Sequence, residues 1–165
     1  MQKNYYIYEK PECNIAIYKL PIWFKESFYE LDEKGNQGVI KFDSYNEYDE
    51  IYGSNAKIEI NFIKKDRLSF YHPKEVQESI NLYNAVNVVV TKKENTWLNS
   101  HEFTYWFGNR TKMIRKRYYQ ENHIHGLFYC ELSSRQFDIH SVVIKNHYEG
   151  FKPFLLEAYN SINCH

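Results

Sequence analysis

Residues 126–144 read GLFYCELSSRQFDIHSVVI: an apolar run, a polar turn within Ser133–Gln136, and a second run rich in β-branched residues. Two such runs about a short turn predict a pair of antiparallel strands. In the first, the two-residue period puts Phe128, Cys130 and Leu132 on one face, expected to point inward. Folding the second strand back sets Ile139 near Cys130 and His140 on the opposite face.

Downstream, Phe151, Leu155, Ala158 and Ile162 form a stripe at helical spacing, so a helix is expected over Tyr148–Ile162, with Pro153 confined to its first turn. Upstream, His101–Phe107 alternates as a strand, Gly108-Asn109 reads as a hairpin turn, and Lys112–Gln120 as the antiparallel partner. Asn87–Thr91 (NVVVT) has apolar residues in succession and is expected to be a strand that is either buried on both faces or poorly periodic. Pro73 opens a helix: Glu75 and Glu78 suit its N-terminal end, and Val76, Ile80 and Tyr83 fall on one stripe. Further back, strands are expected at Lys57–Lys64, Gly38–Phe42, Phe24–Leu31, Cys13–Leu20 and Asn4–Glu9. Between them, Asp43–Glu50 (DSYNEYDE) lacks the spacing of a calcium loop and reads as solvated. Consecutive strands with short links imply an antiparallel sheet, and two helices must cover its faces. The expected fold is therefore α+β, an antiparallel β-sheet sandwich with two main helices, as a single domain over 1–165.

Composition bounds the function. The chain of 165 residues is 43% hydrophobic and 18% aromatic, which excludes a disordered segment and fits one domain with a real core. Tyr, Asn, Lys and Ile share AT-rich codons, so sixteen tyrosines need no base-stacking role. Net charge is zero, where a polyanion binder usually carries a basic excess. It is uneven: residues 1–55 hold six basic against ten acidic side chains, and residues 56–165 fifteen against eleven. No apolar run is long enough to span a bilayer and no segment at Met1 resembles a signal peptide, so no membrane association and a cytoplasmic location are expected. Three cysteines, Cys13, Cys130 and Cys164, fit a reducing compartment with at most one pair.

Three constellations carry candidate chemistry. If the last helix packs on the inward face of the hairpin, Cys164 and His165 arrive close to Cys130, with His101 at the start of an adjacent strand. Two thiolates and two imidazoles make the ligand set of a closed tetrahedral zinc site; a Cys130–Cys164 disulfide and a plain buried thiol are the alternatives, and the sequence leaves all three open. His123-Ile124-His125 has the H-x-H spacing of some metal sites but no matching downstream acid, and reads as a loop pair before Gly126. Arg110, Lys112, Arg115, Lys116 and Arg117, flanked by Tyr118 and Tyr119, form a basic run that would suit a single-stranded nucleic acid or a phosphorylated ligand; at zero net charge a solvated outer face is the favoured reading. No nucleophile elbow, phosphate-cradling Gly-rich loop or Cys-His catalytic signature is present, which leans away from an enzyme.

The pattern resembles the PsbP-like fold, named for an extrinsic photosystem II subunit and shared with a small Ran-binding nuclear transport factor and stand-alone prokaryotic domains. The resemblance runs through Ile15–Trp23 (IAIYKLPIW), Lys57–Lys64, the helix after Pro73, Asn99-Ser100-His101-Glu102 entering a strand, Phe128–Leu132, and a terminal helix whose Ser161-Ile162 precedes a short tail. It implies a binding or assembly role without a fixed catalytic centre. A Cys-His tail is not part of that pattern, so the resemblance assigns no metal ligands. The expectation is a non-enzymatic binding module for a protein or small ligand, with a structural zinc or a disulfide near the C-terminal end; the alternative is a nucleic-acid-associated protein using Arg110, Lys112, Arg115, Arg117 and Tyr119. The sequence does not fix an oligomeric state.

Overall fold

Alternation of apolar and polar residues builds most of this chain into strands. The computed structural model describes residues 4–45, 48–49 and 53–165. Its strands are β1 (Tyr5–Lys10), β2 (Ile15–Pro21), β3 (Phe24–Leu31), β4 (Gln37–Ser44), β5 (Tyr48–Asp49), β6 (Gly53–Ser54), β7 (Ala56–Lys64), β8 (Val89–Leu98), β9 (His101–Ile114), β10 (Arg117–Cys130), β11 (Arg135–Ile144) and β12 (Ile162–Asn163). Helix α1 spans His72–Ala85 and α2 spans Lys145–Asn160. Seven strands form an antiparallel sheet in the order β3-β4-β7-β11-β10-β9-β8; β1, β2 and β12 form a second, and β5 pairs β6. The fold is α+β, antiparallel throughout.

Strand periodicity divides the large sheet into two faces. Ile58, Ile60, Phe103, Ile124, Phe128, Cys130, Phe137 and Ile139 pack with α2 and the small sheet in the main core. Leu127, Tyr129 and Trp106 face the other way and pack under α1 against Phe70 and Val76. Helix α2 buries Phe151, Leu155, Ala158 and Tyr159, each large side chain contributing about 1.5–3 kcal/mol by removal from water. The Tyr159 hydroxyl donates to the Ile124 carbonyl at 2.9 Å and lies 2.7 Å from Ser141 Oγ, so this polar tip is satisfied inside the core. Gly126 makes room for it: a Cβ there would meet the Phe103 ring at 2.7 Å and Tyr159 at 3.3 Å.

Several expectations shift. The β10–β11 turn is Glu131–Ser134, so Arg135 and Gln136 belong to β11; Cys130 lies opposite Arg135, and Ile139 opposite Gly126. Leu132, expected inward, sits in that turn and is exposed. Gly108-Asn109 lies within β9, which continues to Ile114. The reversal comes at Arg115-Lys116, both with positive φ, 48° and 65°, the backbone of a two-residue hairpin whose twist matches its strands. Strand β8 is a sheet edge with Val89 exposed, so of the two readings of its apolar succession the doubly buried strand fails and the poorly periodic one stands. Helix α2 begins earlier than expected, leaving Pro153 inside it, while Ile162 enters β12. Asp43 and Ser44 extend β4, and Ser44 is buried, so the solvated-loop reading fails there; residues 46, 47 and 50 of that stretch lie outside the described residues.

A candidate metal centre at the end of the sheet

Three elements deliver four ligand-type side chains to one point. Cys130 is the last residue of β10 and faces the main core, fully buried; His101 opens β9. The tail past α2 turns at Ser161, whose backbone and hydroxyl hold Tyr18 and Lys19 of β2, and β12 pairs with Ile17 and Ala16. That pairing carries Cys164 and His165 to the sheet end. The ligand atoms of His101, Cys130, Cys164 and His165 all lie within 4.8 Å of one another. Cys130 Sγ is 3.6 Å from His165 Nδ1, Cys164 Sγ is 3.4 Å from that nitrogen, and Cys164 Sγ is 3.5 Å from His101 Nε2. All three cysteines are free thiols.

A buried cation stands among the sulfurs. Arg135 is buried, with its guanidinium 5.1 and 5.0 Å from the Phe62 and Phe137 rings. It donates to the carbonyls of Cys13, Asn14 (3.3 Å) and Cys164 (2.9 Å), and its Nε has no hydrogen-bond partner. Burial pulls its pKa down, and the three cysteine sulfurs are the groups that oppose this. A buried cation without a carboxylate is costly; thiolate sulfur beside it offsets that cost. Without an ion, burial and the neighbouring Cys130 push the Cys164 thiol well up, while burial and then His165 pull the His101 pKa down. His101 is thus held as the neutral imidazole that ligates metals, and a metal would have to displace the Cys164 proton.

The other predicted residues lie elsewhere. Arg110 pairs with buried Glu121 on the α1 side and also reaches the Val86 carbonyl. Lys112 sits opposite Tyr119 near the tip of the β9–β10 hairpin, Arg115 is in its turn, and Arg117 begins β10. The Tyr119 ring is buried; Tyr118 is the exposed aromatic there. The H-x-H pair is not in a loop. His123 and His125 are in β10, buried on the α1 face, where His140 of β11 lies opposite His125. His123 Nδ1 and His140 Nε2 are 2.9 Å apart in nearly coplanar rings, and His125 Nδ1 lies 2.7 Å from the Tyr83 hydroxyl. Strand periodicity alone shows His123 and His125 sharing a face; the register that adds His140 has no local signal in the residues.

No protein-family model and no curated protein sequence matches the chain. Among solved structures it is similar to cyanobacterial PsbP (CyanoP) from Synechocystis, at 7% identity and a TM-score of 0.62 over 100% of this chain and 95% of that one. It is also similar to the Ran-binding protein Mog1p of Saccharomyces cerevisiae, at 12% identity and 0.61 over 99% and 96%. A Pseudomonas aeruginosa protein of unknown function aligns at 8% identity and 0.55 over 94% of each chain. The chain has a PsbP-like fold, and identities this low speak to the fold alone.

Proposed function

We propose that the chain is a non-enzymatic binding or assembly domain whose C-terminal segment is fastened to the large sheet by a zinc ion held by His101, Cys130, Cys164 and His165. One observation carries the reading. A tetrahedral zinc with bonds of about 2.3 Å to sulfur and about 2.05 Å to nitrogen has S···N edges of about 3.6 Å. Three of the four S···N separations are 3.4, 3.5 and 3.6 Å, and all four ligand atoms lie within 4.8 Å of one another. Two sulfurs and two imidazoles suit zinc rather than a hard cation such as Mg²⁺ or Ca²⁺. Four protein ligands leave no position for substrate, so the ion would be structural. We place the chain in a reducing, cytoplasmic setting, where its thiols would stay available to the metal. PsbP-like neighbours, one described as Ran-binding, support a protein partner.

The test is zinc titration of chelated protein, read by intact mass under native conditions. One zinc per chain is expected, with loss in Cys130→Ser; a mass lower by two hydrogens, with no zinc taken up, would replace the metal by a Cys130–Cys164 disulfide.

A further inference from the structure

On the opposite face of the same sheet end, a pocket of about 290 Å³ opens between the segment leading into α1 and strands β9 and β10. Its walls are aromatic: Phe70 stacks on Tyr129 with ring centroids 4.7 Å apart, and Tyr71 and Pro73 close one side. Its charges do not balance. Arg67 lines it but is paired with Glu131. Glu102, the residue after a proposed metal ligand and facing the other way, also lines it and has no ion-pair partner among the described residues.

The hydrogen-bond network adds a second acceptor. The Thr104 hydroxyl donates to Asn95 Oδ1 at 2.7 Å, so it can only accept from His72 Nε2, also 2.7 Å away. That fixes the proton of neutral His72 on Nε2 and leaves Nδ1 a lone-pair acceptor; it is buried and has no partner. His72 is 7% exposed and is itself a wall of the pocket. The pocket thus combines aromatic walls, a carboxylate with no ion pair among the described residues and an unfilled acceptor. Its cation, Arg67, is engaged elsewhere, by Glu131, by the Phe70 carbonyl at 3.3 Å and by the Tyr129 ring 5.7 Å away. Exposed apolar side chains adjoin it: Tyr71, itself a wall, at 66%, and Trp97, opposite Glu102 in the β8–β9 ladder, at 70%; Leu68, next after Arg67 in the chain, is 94% exposed.

We propose that this pocket takes a lysine or arginine side chain of a partner protein, its cationic head at Glu102 and His72 and its stem along the exposed walls Tyr71 and Pro73. Cations are attracted both to aromatic faces and to the carboxylate, and the apolar rim supplies contact area for the backbone that carries the side chain. The proposal gives the binding reading a partner chemistry and rests on that reading, but is independent of zinc.

Amide NMR with the protein in its zinc-loaded and chelated forms tests it, using acetyl-Leu-Lys-Leu-amide as probe, its norleucine and glutamate counterparts as controls, and free butylamine. The expected result is saturable shifts at Glu102, His72 and Tyr129 with the lysine peptide and weaker ones with butylamine. The affinity should fall about fivefold in Glu102→Gln, an exposed change that leaves the core intact. Equal shifts with the norleucine or glutamate peptide, equal binding of butylamine, an unchanged affinity in Glu102→Gln, or no saturation by about 10 mM would each overturn it. Peptide binding by a protein that takes up no added zinc would leave the pocket standing and remove the metal reading; zinc uptake without peptide binding would do the opposite.

Discussion

Replacing Arg135 by methionine tests how the sheet end is held together. The guanidinium donates to three backbone carbonyls, those of Cys13, Asn14 and Cys164, and so joins the start of β2 to the tail. Hydrogen bonds to a charged group are worth about 1.5–3 kcal/mol each. Removing the cation also relieves a desolvation cost of several kcal/mol, so the chelated Arg135→Met protein should lose only about 2–3 kcal/mol. The zinc-loaded protein should lose more, because the cation also stands beside two ligand sulfurs that become thiolates when metal binds. That extra loss should be about 1–2 kcal/mol, equivalent to a zinc Kd about tenfold weaker. Urea unfolding of both proteins, with zinc and with chelator, gives the four free energies of the cycle. A zinc affinity in folded Arg135→Met within about twofold of the parent would refute the electrostatic link between Arg135 and the thiolates.

The α1 face should weaken in acid. Burial, with His125 and His123 beside it, holds the His140 pKa well below its usual value, whereas the unfolded chain takes up that proton as pH falls through about 6.5. A depressed histidine pKa costs stability only below the unfolded value, so the urea midpoint should drop between pH 7 and 5.5, with a limiting slope of about 1.4 kcal/mol per pH unit per proton. Glu121, Asp138, Glu59, Arg110 and Tyr83 face this cluster. His140→Gln should flatten the dependence, and a wild-type midpoint that stays level or rises on acidification would contradict the account. At the β9–β10 tip, Arg115→Asn combined with Lys116→Gly relieves two side chains held at positive φ. Thermal or urea unfolding should show a gain of about 1–2 kcal/mol. If the tip instead serves a nucleic acid, fluorescence titration with a short single-stranded oligonucleotide will show a salt-dependent affinity that this variant loses.

Much of the fold was legible because strand alternation and helical stripes are local signals. Ile58, Ile60 and Phe62 announced β7, and Val76, Ile80 and Tyr83 announced the buried face of α1. What failed depended on comparing distant choices. Gly108-Asn109 looks like a turn in isolation, but Gly108 leaves space beside Val88 and Val89 within a strand that continues to Ile114. The β10–β11 turn was misplaced by two residues because Arg135 and Gln136 are polar yet buried: Arg135 spends its donors on the tail, and Gln136 lies near Asp138 and Lys65. The convergence of Cys130 with Cys164 and His165 was inferable from the inward face of β10 and a returning helix. Arg135 was missed for the same reason that the turn was, and the bare Nδ1 of His72 depends on a threonine thirty-two residues away.

The most direct measurement is the metal content of the protein purified without chelator or added tag. The account predicts one zinc per chain, retained through gel filtration and lost in both Cys130→Ser and Cys164→Ser. Metal-free protein that binds no added zinc, with its thiols reduced and the fold intact, would contradict it.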